Sequence, residues 1–524
     1  MIFLRFTIKP AWFFFIYLIV FGATTVHAQK HVPVLEYTVS MPDPASRYFH
    51  VELYCSGINE ADINLKMPAW MPGYYQLMHY AKAVENVVAT TANKDSLAIA
   101  LVNENTWRIS NPGRKAFRLR YDVKADKQFV ANSLLDSAHG YIIPASVFMY
   151  PEGRIHTPVT VKLNLYAKWS NIATGLEPVA GKINTYKAPD FDILYDCPIL
   201  VGNLEELPSF KVNGIEHRFV AYQPGNFDKV LFMDKLKKVI ESAVAVIGDI
   251  PYQQYTFIAI GPGRGGIEHM NNTTVSFNGD GLDKPGAMNR IMNFLAHEYF
   301  HHYNVKRIRP FELGPFDYDK GSKTNLLWVS EGLSVYYEYL IVKRAGIVDE
   351  ETLFRNFENN INAFENDPGR SYQSLTQASY ETWKDGPFGR QGEEGDRSIS
   401  YYDKGPVVGL LLDLAIRNAT ENKRSLDDVM RLLYWQYYKK LQRGFTDAEF
   451  QQACETTAGI SLNQVFEYVY TTREINYTTY LGYAGLSISS QTNTETGKKK
   501  YTIQRSTKPG SLQQDILRSL LGNH

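Results

Sequence analysis

Two periodicities divide the chain. Between residues 30 and 210 apolar positions recur at every second residue, the spacing of half-buried strands. Val159-Thr160-Val161-Lys162-Leu163-Asn164-Leu165-Tyr166 alternates cleanly, as does Phe117-Arg118-Leu119-Arg120-Tyr121-Asp122-Val123. Turn residues separate such runs at Asn111-Pro112-Gly113 and Pro151-Glu152-Gly153. This half predicts a β-sandwich-like domain.

From about 225 the apolar spacing becomes helical. Residues 227–247 form the clearest case, with Asp228 near the start and Gly248 just past the end. Further helices are predicted over 285–305, 325–345, 405–418, 425–441 and 447–471, and strands return at 483–489 and 499–503. A short strand at 255–260 runs into Gly261-Pro262-Gly263-Arg264-Gly265-Gly266. That run lacks the Gly-Lys-[Ser/Thr] ending of a phosphate loop and fits no dinucleotide fingerprint, so a tight backbone turn is predicted.

Composition narrows the function classes. Hydrophobic residues are 44% of 524, and 55 Lys+Arg balance 55 Asp+Glu, which gives no bulk attraction to nucleic acid or anionic membrane. Residues 1–28 read as a secretory signal peptide: Arg5 and Lys9, then a short apolar run, then Val26-His27-Ala28. Cleavage after Ala28 would deliver the protein to the periplasm or the extracellular space. Only Cys55, Cys197 and Cys454 follow, so at most one disulfide can form and no cysteine-based metal site is available.

The chemistry concentrates at 297–301, which reads His-Glu-Tyr-Phe-His. Histidines at i and i+4 face the same side of a helix and can share one metal ion, while Glu298 beside them can take a proton from an attacking water. Met288, Ile291, Phe294 and Leu295 give that helix an apolar face. A catalytic zinc needs a third protein ligand and leaves one position open. Glu331 is the candidate, a carboxylate within an apolar run where Leu327, Glu331, Ser334 and Glu338 share one helical face; the bland alternative is a surface glutamate. Glu268, after Gly265 and Gly266, is a candidate for a substrate ammonium group, on an edge strand able to lie beside an extended peptide. Tyr402 is a candidate oxyanion donor or simply a packed aromatic. Asp317 and Glu338 are candidate carboxylates behind the histidines.

Several segments together resemble the M61 glycyl aminopeptidase family. They are 297–310 (HEYFHHYNVKRIRP), 328–337 (WVSEGLSVYY), 265–274 (GGIEHMNNTT), 401–405 (YYDKG), 67–75 (MPAWMPGYY), and Asp196-Cys197-Pro198 with Gly202. The resemblance implies a multidomain α+β protein: a β-rich amino-terminal domain (29–210), a thermolysin-like catalytic domain (211–476) and an incomplete PDZ-like segment (477–524). It implies one zinc ion held by His297, His301 and Glu331, with Glu298 as base, Tyr402 as transition-state donor, and Glu268 with Gly265 and Gly266 on the substrate's amino terminus. The implied activity is release of small amino-terminal residues, Gly or Ala favoured, from peptides. A zinc endopeptidase on the same scaffold, or a non-catalytic peptide-binding envelope protein, is the alternative. Tyr303 departs from the family pattern, which has Trp there.

Overall fold

The computed structural model describes residues 33–390 and 392–523; the expected signal peptide lies outside the described residues. No helix among them is long and apolar enough to cross a membrane.

The alternating half folds as its pattern dictates. Eleven strands make one sheet, in which Val34–Ser40 pairs antiparallel with Tyr48–Ser56 and parallel with Val159–Asn164. In Phe117–Lys124 the residues Phe117, Leu119, Tyr121 and Val123 are buried, while Arg118 and Arg120 face solvent. Shifting this strand by one residue would put its charges into the core, so the period fixes the register. A four-stranded sheet, including His139–Ile142 and Ile199–Gly202, shares one core with the large sheet through Phe49, Leu53, Tyr121, Tyr141 and Leu200.

The elements that build the site are numbered in chain order. Strands β1 (Ile215–Ala221), β2 (Gln254–Ala259) and β4 (Asn272–Val275) run parallel, and β3 (Gly266–Glu268) closes the edge antiparallel to β4. The glycine-rich run before β3 is a turn, with Gly261 and Gly265 at φ +90° and +88°. Helix α1 (Lys229–Ile247) starts where Asp228 accepts from the Leu231 amide at 2.9 Å and stops at Gly248, φ +84°. Against it pack α2 (Ala287–Phe300) and α3 (Leu333–Arg344), and α4 (Glu350–Glu365) and α5 (Tyr401–Ala419) pack in turn on α3.

Three expectations need correction. The predicted helix at 325–345 opens with a π-helical turn, Trp328–Gly332, before α3, and 425–441 changes from α to π at Leu433. The segment 447–471 is two helices, Asp447–Ala458 and Asn463–Tyr470, because Gly459 turns left-handed (φ +69°). Helix α4 was not expected. Its four asparagines are poor helix formers, and its buried stripe of Leu353, Phe357, Ile361 and Phe364 is hidden among polar residues.

Residues 477–523 contribute a helical turn, a hairpin of β5 (Leu486–Thr492) and β6 (Lys499–Arg505), and the helix Ser511–Leu520. Side chains of α4 cover the outer edge of β6. Asn362 and Glu358 accept from the amides of Tyr501 and Ile503 at 2.7 Å each, and Asn366 both accepts from and donates to Lys499 at 2.8 Å. That edge is therefore closed to a further strand. All three cysteines are free and buried.

Candidate metal centre

Helix α2 presents the histidine motif on its inner face. His297 and His301, one turn apart, bring their Nε2 atoms to 2.9 Å. Glu331 Oε2 lies 3.5 Å from His297 Nε2 and 3.2 Å from His301 Nε2. All three residues are buried, and among the described residues they are the one cluster suited to a metal. A tetrahedron with ligands about 2.05 Å from its centre has edges of about 3.3 Å, so the three separations match zinc geometry.

The position of Glu331 follows from local backbone. It sits in the π-helical turn, which leaves the carbonyls of Val329 and Ser330 available; Asn304 Nδ2 donates to both, at 2.8 and 3.1 Å. The same turn crosses α5 at a glycine pair. A Cβ on Gly332 would stand 2.6 Å from the Gly405 Cα, closer than real Cβ contacts come. This close approach carries Tyr402, one turn earlier on α5, over the site, where its hydroxyl donates to Glu331 Oε2 at 2.9 Å.

Each imidazole is fixed from behind. His301 Nδ1 lies 2.7 Å from the Asn304 carbonyl and 3.2 Å from Ser334 Oγ. His297 Nδ1 lies 2.9 Å from Glu338 Oε2. The Asn304 carbonyl behind His301, and the Glu338 carboxylate at ion-pair distance from His297 Nδ1 though not aligned as a hydrogen bond, favour the proton on Nδ1, which turns both Nε2 lone pairs toward each other and a carboxylate oxygen. Such a set repels itself unless a cation lies between its members, and a divalent ion with nitrogen and oxygen preference fits. Protons can play that part as well: burial disfavours charge on all three, yet Glu331 raises both imidazoles above their ordinary value, and once protonated they hold its carboxyl below the usual range.

Glu298 lies on the same face, and its Oε2 is buried without a hydrogen-bond partner. Burial pushes its carboxyl up to about 7, with His297 and His301 opposing. It fits because residue 266 is glycine: a Cβ there would lie 2.4 Å from Glu298 Cδ. Strand β3 thus brings bare backbone past the carboxylate, while Gly265 makes the preceding turn. Glu268, at the end of β3, is buried and meets the amino-terminal half. A Cβ on Gly73 would stand 2.7 Å from Ile267 Cγ2 and 3.0 Å from Glu268 Oε2.

His297, Glu298, Gly266, His301, Glu331, Glu338 and Tyr402 are therefore brought together, and two others join them. Asn304 ties the end of α2 to the Glu331 turn. Tyr75 arrives from the amino-terminal half; burial, then the charges of Glu331 and Glu268, keep its phenol protonated. Of the two carboxylates expected behind the histidines, only Glu338 is there. Asp317 instead caps a loop, accepting from the Asp319 amide at 2.9 Å, and its carbonyl accepts from Trp70 at 2.6 Å. Tyr303 is buried with its hydroxyl donating to the Asp249 carbonyl.

Residues 36–203 match the family model of the peptidase M61 N-terminal domain, and residues 290–408 that of the M61 glycyl aminopeptidase. The chain belongs to the M61 peptidase family. Among solved structures, an aminopeptidase N family protein from Idiomarina loihiensis superimposes with a TM-score of 0.82 at 25% identity, over 88% of this chain and 80% of that one. An M1 zinc metallopeptidase from Deinococcus radiodurans shares the fold at TM-score 0.51 and 12% identity, over 85% and 96% of the two chains. A mutant of that enzyme bound to a Tyr-Ser-Ala substrate gives 0.51 and 14%, over 84% and 94%. A sequence search of curated proteins returns no match. This M61 protein is thus a multidomain α+β metallopeptidase, with a large β-rich amino-terminal domain and a helical catalytic domain.

Proposed function

We propose that this chain is a zinc-dependent aminopeptidase that removes small amino-terminal residues, Gly and Ala foremost, from peptides. What carries the reading is the convergence of two bare imidazole nitrogens and a carboxylate oxygen beside the buried, unpartnered Glu298. His297, His301 and Glu331 would hold one zinc ion. Bound there, zinc supplies a Lewis acid that polarises a carbonyl and makes water acidic near neutral pH.

The chain's own groups do the rest. Glu298 accepts the proton of the attacking water and passes it to the leaving amine. Tyr402 has its hydroxyl aimed into the centre and donates to the carbonyl oxygen as charge grows there. Gly265 and Gly266 keep the β3 edge bare, so an extended substrate can lie along it beside Glu298. Glu268 takes the free α-amino group, which confines cleavage to the first bond. In the same reading residues 1–28 direct export, 29–210 and 211–476 are the two main domains, and 477–524 are a PDZ-like segment.

The test is a peptide-library digest of the purified protein, repeated with a chelator and with amino-terminally acetylated peptides. Single-residue release that stops under both treatments is expected. Unchanged cleavage of acetylated peptides would make the protein an endopeptidase and remove the role of Glu268. Cleavage that persists in chelator would remove the metal.

A further inference from the structure

The segment 304–310 carries four polar side chains, and three of them make hydrogen bonds or ion pairs within the protein. Asn304 holds the Glu331 turn as described. Lys306 pairs with buried Asp196 at 2.6 Å, and Asp196 in turn accepts from the Met270 amide at 2.7 Å. Arg307 donates to the carbonyls of Met270 and His302 at 2.9 and 2.7 Å. These contacts brace the loop after β3 against α2. Arg309 differs: among the described residues its half-buried guanidinium makes no hydrogen bond or ion pair.

That guanidinium lies flat against Gly314, where a Cβ would come within 2.2 Å of its Cζ, so the glycine makes its seat. It lines a cavity of about 500 Å³. Of the other charges on the wall, Lys306 is paired with Asp196, Arg443 with Glu449 at 2.6 Å, and Asp192 accepts from the Tyr318 hydroxyl at 2.6 Å, while the Glu268 carboxylate also faces the cavity. Burial depresses the Arg309 pKa, only partly offset by Asp192 and the Tyr318 phenol, which form no ion pair with it. A cation held this way is stabilised by an incoming anion.

The rest of the lining says which part of a substrate enters. It contains Glu268, Gly73 and Tyr75, but none of His297, His301, Glu331, Glu298 or Tyr402. The cavity therefore includes the proposed amine anchor and is not lined by the metal centre itself. In a bound peptide the α-amino group and the first side chain leave the same carbon, while the rest of the chain runs past the scissile carbonyl. Phe311, Leu313 and Phe316 provide apolar wall for the methylenes of such a side chain.

We propose that this cavity receives the first residue's side chain and that Arg309 binds the carboxylate of an amino-terminal Asp or Glu. The proposal rests on the aminopeptidase reading and widens its substrate class from small residues to acidic ones. Both charges of the substrate's first residue are then answered, the ammonium by Glu268 and the carboxylate by Arg309.

The test compares Glu-Ala-Ala-amide with its isostere Gln-Ala-Ala-amide on the full chain, with Ala-Ala-Ala as free acid and as amide. A Glu-over-Gln preference in kcat/KM of about tenfold or more is expected, the worth of one charge-assisted pair. Arg309→Met brings that ratio to about one, and Arg309→Lys, which keeps the charge without the fork, retains part of it. Calorimetry with the α-amides of glutamate and glutamine should show the same preference in binding. Equal handling of Glu and Gln by the unaltered protein, or a ratio indifferent to Arg309→Met, overturns the proposal. An Arg309→Met effect confined to the free-acid Ala peptide overturns it too, by assigning Arg309 to the substrate's carboxyl terminus. If no peptide is cut, the peptidase reading fails by itself, and the calorimetric comparison still decides the pocket.

Discussion

The two ends of the site are built on opposite rules. At the metal end both imidazoles back onto acceptors, His301 onto the Asn304 carbonyl and His297 onto Glu338, while Tyr402 donates to Glu331 from the side of the centre. Only the shared centre of the triad is left unmatched. At the cavity end the frame is also braced, by Asp196 with Lys306 and by Arg307, but one cation, Arg309, points at space. The first arrangement leaves a point-like demand that an ion meets. The second leaves a volume with Arg309 and Glu268 on its wall, which suits a residue carrying both an ammonium and a carboxylate. A rigid centre and a roomier neighbour divide the work of bond cleavage and selection.

The comparison can be broken first at the metal end. Tyr402→Phe removes the hydroxyl that points into the centre and should lower kcat by about 10²–10³-fold with little change in KM. Steady-state kinetics on a good peptide checks this, and a change confined to KM would make Tyr402 a packing residue. Glu338→Gln keeps the shape behind His297 but weakens the acceptor. It should loosen zinc by about 10–100-fold in a competition titration with a chelator. Unaltered affinity would show that the ring is held by packing alone. The smallest effect belongs to the cavity end, where the Glu-over-Gln ratio of about ten collapses in Arg309→Met.

Much of the metal end was legible in the chain. A four-residue spacing on a helix needs no tertiary information, so His297, Glu298 and His301 follow from the helical repeat. The face shared by Glu331, Ser334 and Glu338 was readable for the same reason, and all three do turn toward the histidines. What was hidden depends on contacts between distant segments. The crossing of Gly332 with Gly405 sets Tyr402 over Glu331, and neither glycine announces a partner. Tyr75 comes from the other half of the molecule and is one of 35 tyrosines. Asn304 matters because a π-helical turn frees two carbonyls, a local irregularity that periodicity smooths into an ordinary helix. In the fold, alternation revealed the strands of the β-rich half. Helix α4 stayed hidden because its apolar stripe is thin and its asparagines resemble a loop.

The central claim is that zinc sits between His297, His301 and Glu331 while Glu298 moves the proton. The most direct measurement is zinc content and peptide turnover of Glu298→Gln, side by side with the unaltered protein. One zinc per chain in both, with turnover lowered by about 10²–10⁴-fold in the variant, is the predicted result. Near-normal turnover in Glu298→Gln, or an unaltered protein that cleaves peptides without retaining zinc, would contradict it.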